Sequence, residues 1–398
     1  MTIERCKKCI LPHSVSPVND EGLCEQCATY ENTTDWPALE GEFKGIVADL
    51  KAKGRKHDCM VTLTGGKDSS FVLHYMKNIC DSNPLAFTWD NGLIREESWR
   101  NIHSALAKTG LDHEIVKFDP ELWQRTLRAT FRQYQRSCWC PIFVMATAIP
   151  VAVKNKVPAI ITGFSEGQRE LDHTFQIPEA TSHLESIKHF YDVWSNVFAD
   201  AVKAQEDPET AEKIMEQLFG PLKECLETYT DPADYPAIIP LANYTLWMER
   251  EKLEATLAES IGWQRPCDTF VHSSCIIEPV KGYLEFKGGM SEIYHELSNI
   301  VRGGYMTRDA AMYDISTMNL CDEEPQELDH FLRFIDIDKD EFSQIVKDGP
   351  KHKFLVQGVA DGRIAGPTIA KTVAWIYGTR QQKVNYSPVA KKKSEAVA

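Results

Sequence analysis

A turn that packs two glycines, a lysine and an acid into six residues is the part of this chain best equipped for chemistry. The stretch Val61-Thr62-Leu63-Thr64-Gly65-Gly66-Lys67-Asp68-Ser69-Ser70 runs from an apolar strand, Cys59 to Leu63, into a helix whose Val72, Tyr75, Met76 and Ile79 fall at helical spacing. Gly65 and Gly66 permit a sharp turn and bring backbone N–H groups close to a ligand. Ser69 and Ser70 stand at the helix N-terminus, where exposed N–H groups and the helix dipole favour phosphate. Lys67 offers positive charge to a polyphosphate, and Asp68 is placed to hold Mg2+. A Walker loop needs Gly-Lys-Ser/Thr, and here the lysine is followed by Asp68.

Cysteines supply the second set of reactive groups. The sequence has 12 of them, and in a long chain without a signal peptide they point to metal or catalysis rather than disulfides. Cys6-x-x-Cys9 and Cys24-x-x-Cys27 are fourteen residues apart, the spacing of a closed four-thiolate Zn2+ ribbon. Pro12, Pro17, Asn19 and Gly22 between them are turn formers. So short a segment has too little apolar content to fold without its metal. A further set, Cys138, Cys140 and Cys275, consists of thiols suited to iron–sulfur ligation or sulfur transfer. Packing as small buried hydrophobes is the competing reading for these three.

The elements that must position these groups alternate between strand and helix. Residues 36 to 57 read as an amphipathic helix and a charged link. Leu85 to Trp89 reads as a strand ending at Asp90-Asn91-Gly92, and a helix near 96–109 precedes a strand at His113 to Phe118. A helix from Met145 to Val153 leads to a strand at Val157 to Ile161, which ends in Thr162-Gly163 and the segment holding Glu166. This alternation predicts an α/β fold on a parallel sheet. Strand ends of such sheets carry ligands, so Asp90, Gly163 and Glu166 join the loop as candidate nucleotide contacts. Asp90 reads equally well as a turn residue. Residues 180–230 predict a helical insertion covering the sheet edge. Ala237 to Pro240 returns to the sheet, and a helix spans Glu249 to Ile261. From Gly282 the chain is mostly helical, with Thr307 and the Asp338/Glu341 pair as caps.

The expected domains are a ribbon (1–35), an α/β domain (36–281), a helical C-terminal region (282–380) and a disordered tail (381–398). The net charge of −14 argues against a nucleic-acid partner, which needs a basic face. No apolar run reaches transmembrane length. A cytoplasmic protein without a membrane partner is the expectation.

The order Thr64 to Ser69 resembles the PP-loop of ATP pyrophosphatases, usually opened by serine; Thr64 keeps the hydroxyl. The resemblance implies ATP cleavage between the α- and β-phosphates, releasing pyrophosphate, on a HUP-like domain. Cys6-Lys7-Lys8-Cys9-Ile10-Leu11-Pro12 with Cys24-Glu25-Gln26-Cys27, Ile239-Pro240-Leu241, Gly262-Trp263, and the run from Gly282-Tyr283-Leu284-Glu285-Phe286-Lys287 through Arg302-Gly303-Gly304-Tyr305-Met306-Thr307-Arg308-Asp309-Ala310 carry a wider likeness. With them the chain resembles the N-acetyl sugar amidotransferase family of bacterial surface-polysaccharide biosynthesis. That likeness implies a sugar substrate whose carbonyl or amide oxygen is adenylated, attack by ammonia, and a partner glutaminase. The set Cys138, Cys140 and Cys275 resembles instead that of PP-loop sulfur-transfer enzymes, which implies a [4Fe-4S] cluster or a persulfide, although those enzymes more often space the pair as Cys-x-x-Cys.

Overall fold

The computed structural model describes residues 4–13, 16–30, 35–163, 182–245, 250–266, 274–287, 292–317 and 324–348. Its elements, in chain order, are α1 (Glu25–Ala28), α2 (Trp36–Ala52), β1 (Cys59–Thr62), α3 (Lys67–His74), β2 (Pro84–Asp90), α4 (Glu96–Thr109), β3 (His113–Lys117), α5 (Pro120–Tyr134), α6 (Cys140–Lys154) and β4 (Ala159–Thr162). They continue with α7 (His183–Lys203), α8 (Pro208–Thr228), β5 (Ala237–Pro240), α9 (Arg250–Ile261), α10 (Ile277–Lys287), α11 (Glu292–Arg302), α12 (Arg308–Thr317), α13 (Leu328–Ile335) and α14 (Lys339–Lys347). Glu166 and the tail at 381–398 lie outside the described residues.

The strands form one 5-stranded sheet in the order β3-β2-β1-β4-β5, and every pairing is parallel. Both faces are covered, and the period-2 alternation of the strands divides the core accordingly. Met60, Leu85, Phe87, Trp89 and Ile160 face a core shared with α5, α6, α7 and α8. Cys59, Val61, Ala86, Ala159 and Ile161 face the opposite core, with α2, α3, α4 and α9. Chain order reverses between β1 and β4, so the crevice beyond their C-terminal ends is the topological switch point where such sheets bind ligands.

Three findings sharpen the sequence reading. The insertion forms α7 and α8, which lie over α5 and α6 rather than along an edge strand. The reason is apolar matching: α6 is nearly apolar all round, and Phe198 and Phe219 pack on Phe143. Next, α5 is a capped helix, with the Asp119 side chain accepting from the N–H groups of Glu121 and Leu122 and Pro120 at the first turn. Last, the C-terminal helices divide their partners. Phe331 and Phe342 of α13 and α14 pack on Phe131 of α5, while α11 and α12 pack on the ribbon cysteines through Tyr294, Leu297, Ala311 and Ile315. Among the described residues no helix is long and apolar enough to cross a membrane.

Candidate active site and metal centre

The loop between β1 and α3 sits at the switch point and is braced from all sides. Ser69 Oγ accepts from the Thr64 N–H at 3.1 Å and lies 3.0 Å from the Thr64 hydroxyl. The Gly65 carbonyl accepts from Trp263 Nε1 at 3.0 Å and Asn101 Nδ2 at 3.1 Å. Gly65 has φ +74°, and a Cβ there would collide with the Ser98 carbonyl of α4. Gly163, one residue past β4, runs so close to α3 that a Cβ would lie 3.1 Å from the Asp68 carbonyl carbon. Small residues at 65 and 163 are therefore what let three backbone segments meet. α3 starts at Gly66 with no side-chain cap, the end that favours an anion. Lys67 and Asp68 pair with one another and are part-exposed at its first turn. These residues fit a polyphosphate with its Mg2+.

Asp90 is engaged locally: it accepts from the Gly92 N–H at 2.9 Å and pairs with Lys117 at 3.3 Å. Its neighbour Asn91, which the sequence reading assigned no role, is buried and central. Asn91 Nδ2 donates to Cys140 Sγ at 3.3 Å and to Cys275 Sγ at 3.6 Å, and its Oδ1 accepts from the Leu93 N–H. Asn91 thus joins Cys140 and Cys275, and the neighbouring thiols of Cys138 and Cys275 both act on the Cys140 thiol. A short antiparallel contact makes this possible: Ile94 bridges Cys275, the Arg95 N–H donates to the Ser274 carbonyl, and the Ile276 N–H donates to the Leu93 carbonyl. The same contact sets the Ser274 hydroxyl 3.6 Å from where a Cβ on Gly66 would be. The cysteines and the β1–α3 loop thus flank one segment. The Cys138 thiol is pushed well above its ordinary range by its hydrogen bond with Cys140 and by burial. The Cys140 thiol is also raised: its bond with Cys138 pulls it down, but the bond with Cys275 and burial outweigh that. Cysteine sulfur is the donor type of an iron–sulfur centre, and burial holds Cys138 and Cys140 toward the protonated thiol.

The ribbon is a different site. Cys6, Cys9, Cys24 and Cys27 are buried, with their sulfur atoms all within 4.8 Å of one another; among the described residues theirs is the group that meets this spacing. A tetrahedral Zn2+ with bonds of about 2.3 Å requires sulfur separations of about 3.8 Å, and Cys9 and Cys24 are 3.6 Å apart. The N–H groups of Leu11 and Cys24 point at Cys9 Sγ and Cys6 Sγ, as in metal-binding knuckles. The donor set fits Zn2+.

Comparison with known proteins adds the following. Residues 280–355 match the family described as "LPS biosynthesis protein WbpG-like, C-terminal domain". A stretch of 119 residues is 29% identical to an uncharacterized protein of Methanocaldococcus jannaschii, covering 29% of this chain and 43% of that protein. The chain therefore spans less than half the length of that curated relative. A U34-tRNA thiolase from Methanococcus maripaludis, solved with its [4Fe-4S] cluster, aligns over 77% of this chain and 88% of its own at 18% identity and a TM-score of 0.28, a likeness too slight to carry weight. The C-terminal helices that clasp both the ribbon and α5 are thus the part of the chain that matches a family of surface-polysaccharide biosynthesis proteins.

Proposed function

We propose that this protein is an ATP-dependent amidotransferase of polysaccharide biosynthesis. The amide oxygen of an N-acetyl sugar attacks the α-phosphorus of ATP, the α–β anhydride bond breaks, and pyrophosphate leaves. Ammonia adds to the adenylated carbon, AMP departs with the former amide oxygen, and an amidine remains after loss of a proton. The loop backbone and Lys67 hold the polyphosphate; Asp68 holds the Mg2+ that offsets its charge. A partner glutaminase supplies the ammonia. The observation that supports this reading most is the match of residues 280–355 to the WbpG-like C-terminal domain, a region that packs on the α/β domain and whose Glu327 pairs with Arg95 at 2.6 Å.

A second reading, sulfur insertion on the same adenylate, is favoured by one observation: Cys140 and Cys275 meet at Asn91, with Cys138 acting on Cys140. One experiment separates the two. A nucleotide-linked N-acetyl sugar carrying heavy oxygen in its amide is incubated with ATP and ammonium salts. The nitrogen reading expects labelled AMP, pyrophosphate and an amidine, from colourless protein. Brown anaerobic protein with acid-labile sulfide and a sulfur-containing product would favour thiolation. ADP and orthophosphate as primary products would defeat both.

A further inference from the structure

Arg302 closes α11 and is buried, 8% exposed. A buried guanidinium is costly unless an anion faces it, and among the described residues no carboxylate pairs with it. Its partners are sulfur atoms instead. Nη1 donates to Cys9 Sγ at 3.6 Å and to Cys27 Sγ at 3.9 Å, while Nη2 is anchored on the Asn299 side-chain oxygen. Arg308 of α12 also reaches the ribbon, but its Nε meets the carbonyls of Cys6 and Cys9 and no sulfur.

We propose that Arg302 is the outer-sphere partner of the four-thiolate metal centre. Four thiolates around Zn2+ leave two negative charges in a buried site. Arg302 lowers that excess by N–H···S bonds to two of the ligands, and the metal centre in turn supplies the anion that the buried guanidinium requires. Metal binding at residues 6–27 and docking of α11 are then one equilibrium, and the coupling is reciprocal. The ribbon is the metal-dependent clasp of the C-terminal region rather than a separate module.

The test uses the full chain. Zinc affinity is measured by competition with a chromogenic chelator, and Co2+ substitution reports thiolate coordination by its charge-transfer band. Arg302→Met keeps the bulk and loses the charge; it should weaken Zn2+ binding by about 10–100-fold, the usual cost of an outer-shell change. Arg302→Lys should recover part of this. Arg308→Gln, which disturbs docking but not sulfur, should cost less than Arg302→Met. Equal zinc affinity in Arg302→Met and the parent, equal losses in Arg302→Met and Arg308→Gln, or no metal in the parent, would each overturn the proposal. Should Arg302→Met not fold, the unaltered protein decides. Removing zinc should raise hydrogen exchange in α11 and α12 while leaving β1, β2 and β4 protected, and unchanged exchange in α11 would overturn it.

Discussion

The two cysteine groups of this chain are surrounded in opposite ways. The ribbon thiols lie against an arginine, whose guanidinium donates to Cys9 and Cys27, and receive the backbone N–H groups of Leu11 and Cys24. The interior thiols have a neutral amide, Asn91, and surroundings that raise Cys138 and Cys140, the opposing charge of Lys281 on Cys138 being outweighed. Cationic and dipolar surroundings favour thiolate and hence metal; apolar ones favour the thiol until a cofactor supplies the charge. Sulfur count alone does not tell a structural site from a reactive one, whereas the donors around the sulfur do.

Four substitutions and one change of pH would sharpen or break this contrast. The largest effect is expected at the ribbon: Cys9→Ser should abolish zinc binding, which contributes about 10–16 kcal/mol in such sites, and expose residues 4–30 with α11 and α12. ATP binding should survive. Zinc retained at full occupancy, read by elemental analysis, would remove the ribbon from the comparison. Next is Lys67→Ala, which should slow turnover about 10²-fold or more by deleting a charge-assisted phosphate contact, with both cysteine groups intact by zinc content and thiol titration.

Smaller effects belong to the interior. Asn91→Ala leaves Cys140 and Cys275 without their donor and should cost about 1–3 kcal/mol, read as a lowered denaturation midpoint; Cys138→Ser should cost about 1 kcal/mol, with activity kept if the nitrogen reading holds. Loss of activity in Cys138→Ser with ATP still bound would move this group from packing to chemistry. The smallest effect concerns pH. Because burial and thiol–thiol contact raise Cys138 and Cys140 in the folded state, their stabilising contribution is present below the ordinary thiol pKa and is lost as pH rises through and beyond it. Alkylation of these two, followed by mass spectrometry, should therefore stay slow at neutral pH and quicken only in strong alkali. Rapid labelling near neutrality would show that the Lys281 charge, which pulls the Cys138 thiol down, outweighs burial and the contact with Cys140.

The glycine turn between β1 and α3 and the four-cysteine group were legible in the sequence because glycines and paired cysteines at fixed spacings constrain local backbone, and local backbone is what sequence encodes most directly. The strands β1 to β5 were legible for the same reason. The meeting of the interior cysteines was not: Asn91 is 49 residues from Cys140 and 184 from Cys275, and their encounter depends on the pairing of 93–95 with 274–276, which no pattern announces. Arg302 stood inside a recognised run without a role, since nothing local shows that α11 lies on the ribbon. The sequence reading passed over α5, although Asp119-Pro120 and the stripe Trp123, Leu127, Phe131 and Tyr134 are ordinary helix signals. Asp90 reads equally as a nucleotide contact and as a turn residue, and its contacts with the Gly92 N–H and Lys117 fit the turn.

The clasp between the ribbon and α11 also sets a schedule. Cys27 and Arg302 are separated by 275 residues, so at synthesis rates of about 5–20 residues per second the ribbon emerges roughly a quarter of a minute to a minute before its arginine. During that interval its four sulfur atoms have only one another and whatever metal reaches them. A chain that acquires zinc early presents α11 with a finished anionic surface on which to dock. One that does not leaves reactive thiols exposed while the sheet is still being made, so metal supply during translation would govern how much of the protein reaches its folded form.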